Sequence, residues 1–375
     1  MTPLWADQAG YYVYLPTLFI YDFDARAFPD SIEVNTGDGF SLDIESNKVI
    51  TRYSCGVAIL QAPFFYAIHL FAGILGKPQD GFSGIYHQVP NFAAFFYALF
   101  GLIFLCKYLS HYFNPVIRFF VTGALFFGTN LYYYAVDSTG MSHIYSFGLF
   151  AFIAWLSKKI IISGREKSSV SLLIWGIVFS MIVLVRPSNI LIFPFLFCMD
   201  CYSSTELLNR IKQYASFKNI VILALTAGVV FLPQMIYWKY VSGSYIYYSY
   251  EDYGFSNWKN PQILELWFSP DNGLFLYSPL YIAAIIGTIL MIYNKKENGW
   301  VILLTFCALS YLLASWYIFS FGCGFGSRNF VEYTVMFSLP AGYLFKYISD
   351  QARVKRVLFS ALIVIMVLFN LKLVY

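Results

Sequence analysis

The sequence predicts an all-α, polytopic membrane protein with about ten transmembrane helices, and three observations carry that reading. Only 12% of the residues are charged and 59% are hydrophobic, against roughly 25% charged in an ordinary soluble domain. With a mean hydropathy of +0.62, water cannot solvate most of this surface. Apolar stretches of about 20 residues, the length that crosses a hydrocarbon core, recur along the chain, and short loops between them hold most of the charge.

In chain order the predicted spans are 90–112, 117–136, 141–157, 171–185, 189–200, 219–238, 273–293, 299–321, 329–345 and 354–374. The fourth and fifth are too short to cross perpendicular to the bilayer, so Arg186-Pro187-Ser188-Asn189 marks a broken or half-crossing pair. Alternation of the loops puts Lys107, Arg118, Lys158, Lys159, Arg165, Lys167, Arg210, Lys212, Lys218, Lys295, Lys296, Lys346, Arg353, Lys355 and Arg356 on one face. These are fifteen of the 24 basic residues, and the positive-inside rule makes that face cytoplasmic. Most acids, Asp7, Asp38, Asp80, Asp137, Glu251, Asp252 and Asp271 among them, fall on the other face. The localisation that follows is the plasma (inner) membrane, multi-pass, with the acidic face extracytoplasmic.

Residues 1–89 then form an extracytoplasmic first loop with juxtamembrane helices, and residues 90–375 a bundle with an outer loop at 239–272. The apolar stretch 55–76 looks like a span, but parity forbids a crossing there. It carries Gln61, Pro63 and His69, and reads as a helix lying along the outer surface or dipping into it. Met1 to Gly10 lacks the basic region and apolar core of a signal peptide. A chain that begins outside therefore implies a truncated start or a lost first helix. If 55–76 crosses instead, residues 1–53 become cytoplasmic.

Several classes lose support. The bases are dispersed among loops, which excludes nucleic acid as a partner. The six cysteines show no repeated metal-ligand spacing, Cys198 and Cys201 form a lone CxxC, and all six read as structural. No P-loop, dinucleotide fingerprint, HExxH or nucleophile elbow is present.

The residues left to carry chemistry lie on the outer face. Asp7 sits in Trp5-Ala6-Asp7-Gln8-Ala9-Gly10-Tyr11-Tyr12, where a carboxylate can deprotonate an alcohol, bind a divalent metal, or merely cap a helix. Arg52 opens the surface helix and can hold a phosphate or anchor at the interface. Arg186 and Arg328 stand at outer ends of apolar segments, a face that disfavours arginine without a partner or a task. In Gly324-Phe325-Gly326-Ser327-Arg328-Asn329 the glycines permit close backbone approach to an anion. Glu332, one turn further on, is a natural partner for Arg328. His143, in Asp137-Ser138-Thr139-Gly140-Met141-Ser142-His143, is a base, a ligand or a capped polar end.

In this order the features resemble the GT-C superfamily of membrane glycosyltransferases, particularly the branch of protein mannosyltransferases and the lipid A aminoarabinose transferase. Asp7 matches the family's first-loop acid, Arg52 stands where a lysine contacts the carrier phosphate, and Gly56 matches a glycine four residues on. The resemblance implies a sugar donor on a polyprenyl phosphate, a glycan, lipid or protein acceptor, and a membrane-lipid surrounding. Asp7 becomes the catalytic residue, with Arg52, Arg186, Arg328, His143, Tyr11 and Tyr12 binding substrate. Two departures stand out: the helix that precedes the acidic loop is missing, and Ser142-His143 replaces a second acid.

The chemistry fits the residue types. A polyprenyl phosphate leaves as an anion that arginines stabilise, so a base and a phosphate clamp suffice, and attack opposite the leaving group inverts the anomeric centre. A transporter or flippase is the rival reading, because broken helices and arginines also mark substrate pathways. The absence of an inverted repeat and the clustering of polar residues at one face count against it. A non-catalytic scaffold that keeps the fold is the third.

Overall fold

The structure, a computed structural model, describes residues 4–163, 168–250 and 253–375; the loop charges Arg165, Lys167, Glu251 and Asp252 lie outside them. The chain is mostly helical, as the composition demands. Five helices are long and apolar enough to cross a membrane: Gly56–Ile74, Gln88–Leu109, Ser142–Ile162, Phe217–Ser242 and Arg353–Val374. Shorter apolar helices at Pro115–Gly128, Ser169–Val185, Pro187–Phe197, Leu280–Tyr293 and Gly299–Ala314 pack among them, together with the helix Thr334–Ser349. The all-α expectation needs one correction. Ser41–Asp43 and Lys48–Ile50 pair as an antiparallel hairpin, because Asp43 accepts from the Ser46 backbone N–H and Asn47 takes a left-handed φ of 54°, closing a turn that no helix allows. All six cysteines are free thiols.

Three spans that read as continuous are interrupted. Residues 117–136 break at Thr129 and Asn130, residues 273–293 at Ser278 and Pro279, and residues 329–345 open with a 3-10 turn, Arg328–Phe330. The three interruptions meet. The Asn130 backbone N–H donates to Ser278 Oγ (3.0 Å) and its side-chain amide to the Ser327 carbonyl (3.1 Å). Tyr281 Oη donates to the Phe330 carbonyl (3.2 Å), and Asn370 Nδ2 to that of Tyr277 (2.7 Å). Freed backbone groups in apolar surroundings must be paired inside the protein, and Asn and Ser supply those partners. Hydropathy averages cannot register so few short polar side chains. The span predicted at 299–321 also stops early, at Ala314, because the following residues bond back to the outer loop through Ser315, Tyr317 and Ala314.

The short pair around Arg186 has a measurable depth. His143 and Lys158 lie fifteen residues apart on one helix, a rise of about 22 Å. Arg186, ending the Ser169–Val185 helix, touches His143, and Asp200 pairs with Lys158 at 2.5 Å. Residues 186–200 therefore run back over the same depth. They manage it because Pro187–Ile192 is a 3-10 helix, which rises about 2.0 Å per residue instead of about 1.5.

The Gly56–Ile74 helix stays at the end of the bundle that carries Asp7. Gln61 Nε2 donates to Tyr145 Oη (2.7 Å), two residues past His143, and Leu60 accepts from Tyr97. Further along, His69 Nδ1 bonds Tyr86 Oη, ahead of the Gln88–Leu109 helix. Tyr66, Leu70, Phe71 and Ile74 face outward and exposed. Beneath it the first 89 residues hold a small core of their own around Tyr12, Phe28, Phe40, Phe65 and Phe82.

Candidate functional site

Asp7 begins the helix Asp7–Tyr12, and the turn before it is strained: Ala6 has φ 49° and ψ −126°, a region costly to any residue with a Cβ. The Ala6 N–H is held by the Thr36 carbonyl at 2.7 Å. Gly39 lies so close that a Cβ there would stand 2.0 Å from the Ala6 carbonyl oxygen. Asp7 Oδ1 accepts from Tyr53 Oη at 2.5 Å, and Oδ2 lies 3.1 Å from Arg328 Nη2, with the carboxylate one-third exposed. Burial, then the Asp7 charge, raises the Tyr53 pKa, so this hydroxyl remains a donor. Burial is the largest influence on the Arg328 guanidinium and lowers its pKa, but Asp7 together with Tyr134, Tyr11 and Tyr53 outweighs it, and the net shift is upward.

The second arginine is held differently. Arg186 Nη1 lies 2.9 and 3.0 Å from the two ring nitrogens of His143, and Nη2 donates to Asn329 Oδ1. His143 Nδ1 is also 3.0 Å from Glu332 Oε2, and Glu332 Oε1 is 3.9 Å from Arg186 Nη1. His143 and Glu332 are 0% and 1% exposed. A guanidinium only donates and a carboxylate only accepts, which assigns the tautomer: Nδ1–H donates to Glu332, and Nε2 accepts from Arg186. The same logic turns Asn329 Oδ1 toward Arg186 and leaves its buried Nδ2 without a partner, as is Ser327 Oγ, on either side of Arg328.

One short segment joins these parts. Thr51 Oγ1 donates to the Gly10 carbonyl (3.0 Å), and Tyr53 holds Asp7. Ser54 Oγ donates to the Leu184 carbonyl (2.5 Å), and the Cys55 N–H to Gln234 Oε1 (2.7 Å). A Cβ on Gly56 would stand 2.7 Å from Val185 N, next to Arg186. Residues 51–56 thus fix the acid-bearing helix against the arginine-bearing one.

The predicted site residues separate into two groups. Asp7, Arg328, Arg186 and His143 converge. Tyr11 joins them: its ring lies 4.5 Å from that of Tyr53, and its hydroxyl feels Arg186, Asp7 and Arg328, with burial raising its pKa. Tyr12, a third of a helical turn away, faces the small core and donates to the Gly81 carbonyl at 2.6 Å. Arg52 stands at the rim, its guanidinium 5.8 Å from the Tyr253 ring and its carbonyl bonded by Ser249. Tyr250 of the same outer loop lies against Tyr53 (6.4 Å) and covers the cluster from that side.

Glu332 does not pair with Arg328, as the one-turn spacing suggested, because Asp7 takes that arginine. It supplies instead a buried acid beside His143, where the sequence shows none. An acid within an apolar run was its only signal. Tyr53 and Asn329 gave no signal, since hydroxyls and amides are common at helix ends. Among the described residues no group of three or more His, Cys, Asp or Glu side chains converges to hold a metal ion. No family model, curated protein or solved structure matches the chain.

Proposed function

We propose that the chain is a GT-C-like membrane glycosyltransferase that moves a sugar from a polyprenyl-phosphate donor to an acceptor hydroxyl, at the extracytoplasmic end of a bundle crossing the plasma membrane ten times. The observation that carries this reading is the contact of Asp7 with Arg328 at 3.1 Å, with Arg186 held nearby through Asn329. A base and two anion-binding groups therefore share one partly open site.

In the reaction, the acceptor oxygen attacks the anomeric carbon as Asp7 takes its proton. The bond to the phosphate oxygen breaks, and its electron pair leaves with the phosphate. Arg328 exchanges Asp7 for that phosphate, which frees the carboxylate as base when the anion to be stabilised has arrived. Asn329 and Glu332 with His143 hold Arg186 in place. The prenyl chain lies in lipid beside the Gly56–Ile74 helix, whose outward face is apolar, and Arg52 and Tyr253 line the entrance. Displacement in one step inverts the anomeric centre.

The test is transfer of label from a polyprenyl-phosphate sugar to acceptor by the purified chain in detergent. Asp7→Asn is expected to lower turnover at least a hundredfold, within the range for loss of a general base, with an unchanged melting profile. Turnover at the original rate sinks the assignment. Movement of label across proteoliposomes without any transfer identifies a transporter instead.

A further inference from the structure

A second site lies at the other end of the bundle. The helix Ser204–Tyr214 starts cleanly, with Ser203 Oγ accepting from the Glu206 N–H (3.2 Å) and Glu206 Oε2 accepting from the Tyr202 N–H (2.7 Å). Arg210 Nη1 donates to the Phe197 and Met199 carbonyls at 2.8 and 2.7 Å. This places the helix beside Asp200 and Lys158, at the end opposite Asp7. The helix is short and amphipathic, yet its apolar side is not covered: Leu208 and Ile211 are 55% and 45% exposed, and Phe217 just beyond is 83% exposed.

Along the helix and the turn that follows runs an open cleft of about 540 Å³, lined by Asn209, Lys212, Gln213, Ser216, Lys218 and Asn219. Its lining holds two cations, three side-chain amides, one hydroxyl and no acid. Gln213 Nε2 in its wall is buried without a hydrogen-bond partner, although the backbone carbonyl of the same residue is bonded by Asn219 Nδ2 at 2.9 Å. With two lysines and no acid in its lining, the cleft favours an occupant that carries negative charge.

We propose that this cleft holds the phosphate of an anionic phospholipid, with its acyl chains against Leu208, Ile211 and Phe217. The two halves of the feature select one chemistry. The two lysines select an anion, and the adjoining exposed apolar side chains select the amphiphile over a soluble phosphate. A zwitterionic lipid brings its own cation close to Lys212 and Lys218 and gains less. Basic side chains near an anionic headgroup contribute about 1 kcal/mol each, so two lysines correspond to about thirtyfold in affinity.

The experiment uses the full purified chain in neutral detergent and follows both lipid retention by native mass spectrometry and thermal unfolding. Short-chain phosphatidylglycerol is expected to be retained and to raise the melting temperature, with phosphatidylcholine and glycerol phosphate having little effect. Lys212→Ala with Lys218→Ala should weaken phosphatidylglycerol retention about thirtyfold, and Lys212→Arg with Lys218→Arg should keep it, which separates charge loss from misfolding. Equal retention of the two lipids, undiminished retention in the alanine pair, or loss of retention in the arginine pair overturns the proposal. A full shift with glycerol phosphate does so as well, because it makes the site one for a soluble anion.

Discussion

Ala6 takes a left-handed φ of 49° directly before Asp7, and such a conformation costs about 1–3 kcal/mol for a residue with a Cβ. Ala6→Gly removes that strain and adds about 0.5–1 kcal/mol of chain entropy to lose on folding. The expected net is a stabilisation of about 1 kcal/mol, read as a higher melting temperature in detergent. If stability falls instead, the strain is not there. The buried acid gives the opposite sign. Glu332→Leu leaves His143 Nδ1–H and Arg186 short of their acceptor, which costs about 3–5 kcal/mol, whereas Glu332→Gln keeps an oxygen at 3.0 Å from the imidazole and should lose much less. A Glu332→Leu protein as stable as the parent would show that the cluster contributes nothing to folding.

The helices owe their relative placement to a few close approaches. A Cβ on Gly56 would stand 2.7 and 2.8 Å from Val185 N and Cα, so Gly56→Ala must push the Gly56–Ile74 helix away from the segment that ends in Arg186. The expected cost is about 1–3 kcal/mol, together with reduced transfer at normal expression; full activity would show that the packing yields elsewhere. The Arg353–Val374 helix illustrates the other kind of anchor. Its one fully buried residue is Asn370, whose amide donates to the Tyr277 carbonyl (2.7 Å) and Ser278 Oγ (3.3 Å). Asn370→Leu should loosen this helix selectively, seen as faster amide exchange along it while the Ser142–Ile162 helix stays protected. At this scale much was legible. Each apolar stretch contains a helix, because helix formation in an apolar segment is local. The breaks at Thr129, Ser278 and Ser327 were not, because they depend on partners from other helices.

For the molecule as a whole, the two ends differ in chemistry. Asp7, Arg186, His143 and Arg328 gather at one, and Lys158, Asp200, Arg210 and Lys212 at the other. If the second end is cytoplasmic, as the loop charges imply, the exposed Cys323 should react with a membrane-impermeant maleimide in intact cells, and a Cys323→Ser control should not. Asn209→Cys in that background should react only after permeabilisation. The reverse pattern overturns the orientation, and with it the outward-facing active end.

The sequence by itself determined the class, the apolar segments and the uneven distribution of charge, since each is a property of a local window set against the solvent it must meet. It also marked Asp7, Arg186, His143 and Arg328 as out of place in such windows. Only the tertiary structure decided which charge meets which. Arg328 takes Asp7 in preference to Glu332, and Glu332 meets His143 across 189 residues of chain. The physical reason is the range of the interactions: helix formation and partition into lipid are settled within a turn or a span, whereas a buried ion pair exists only where packing brings two distant backbones within hydrogen-bond reach.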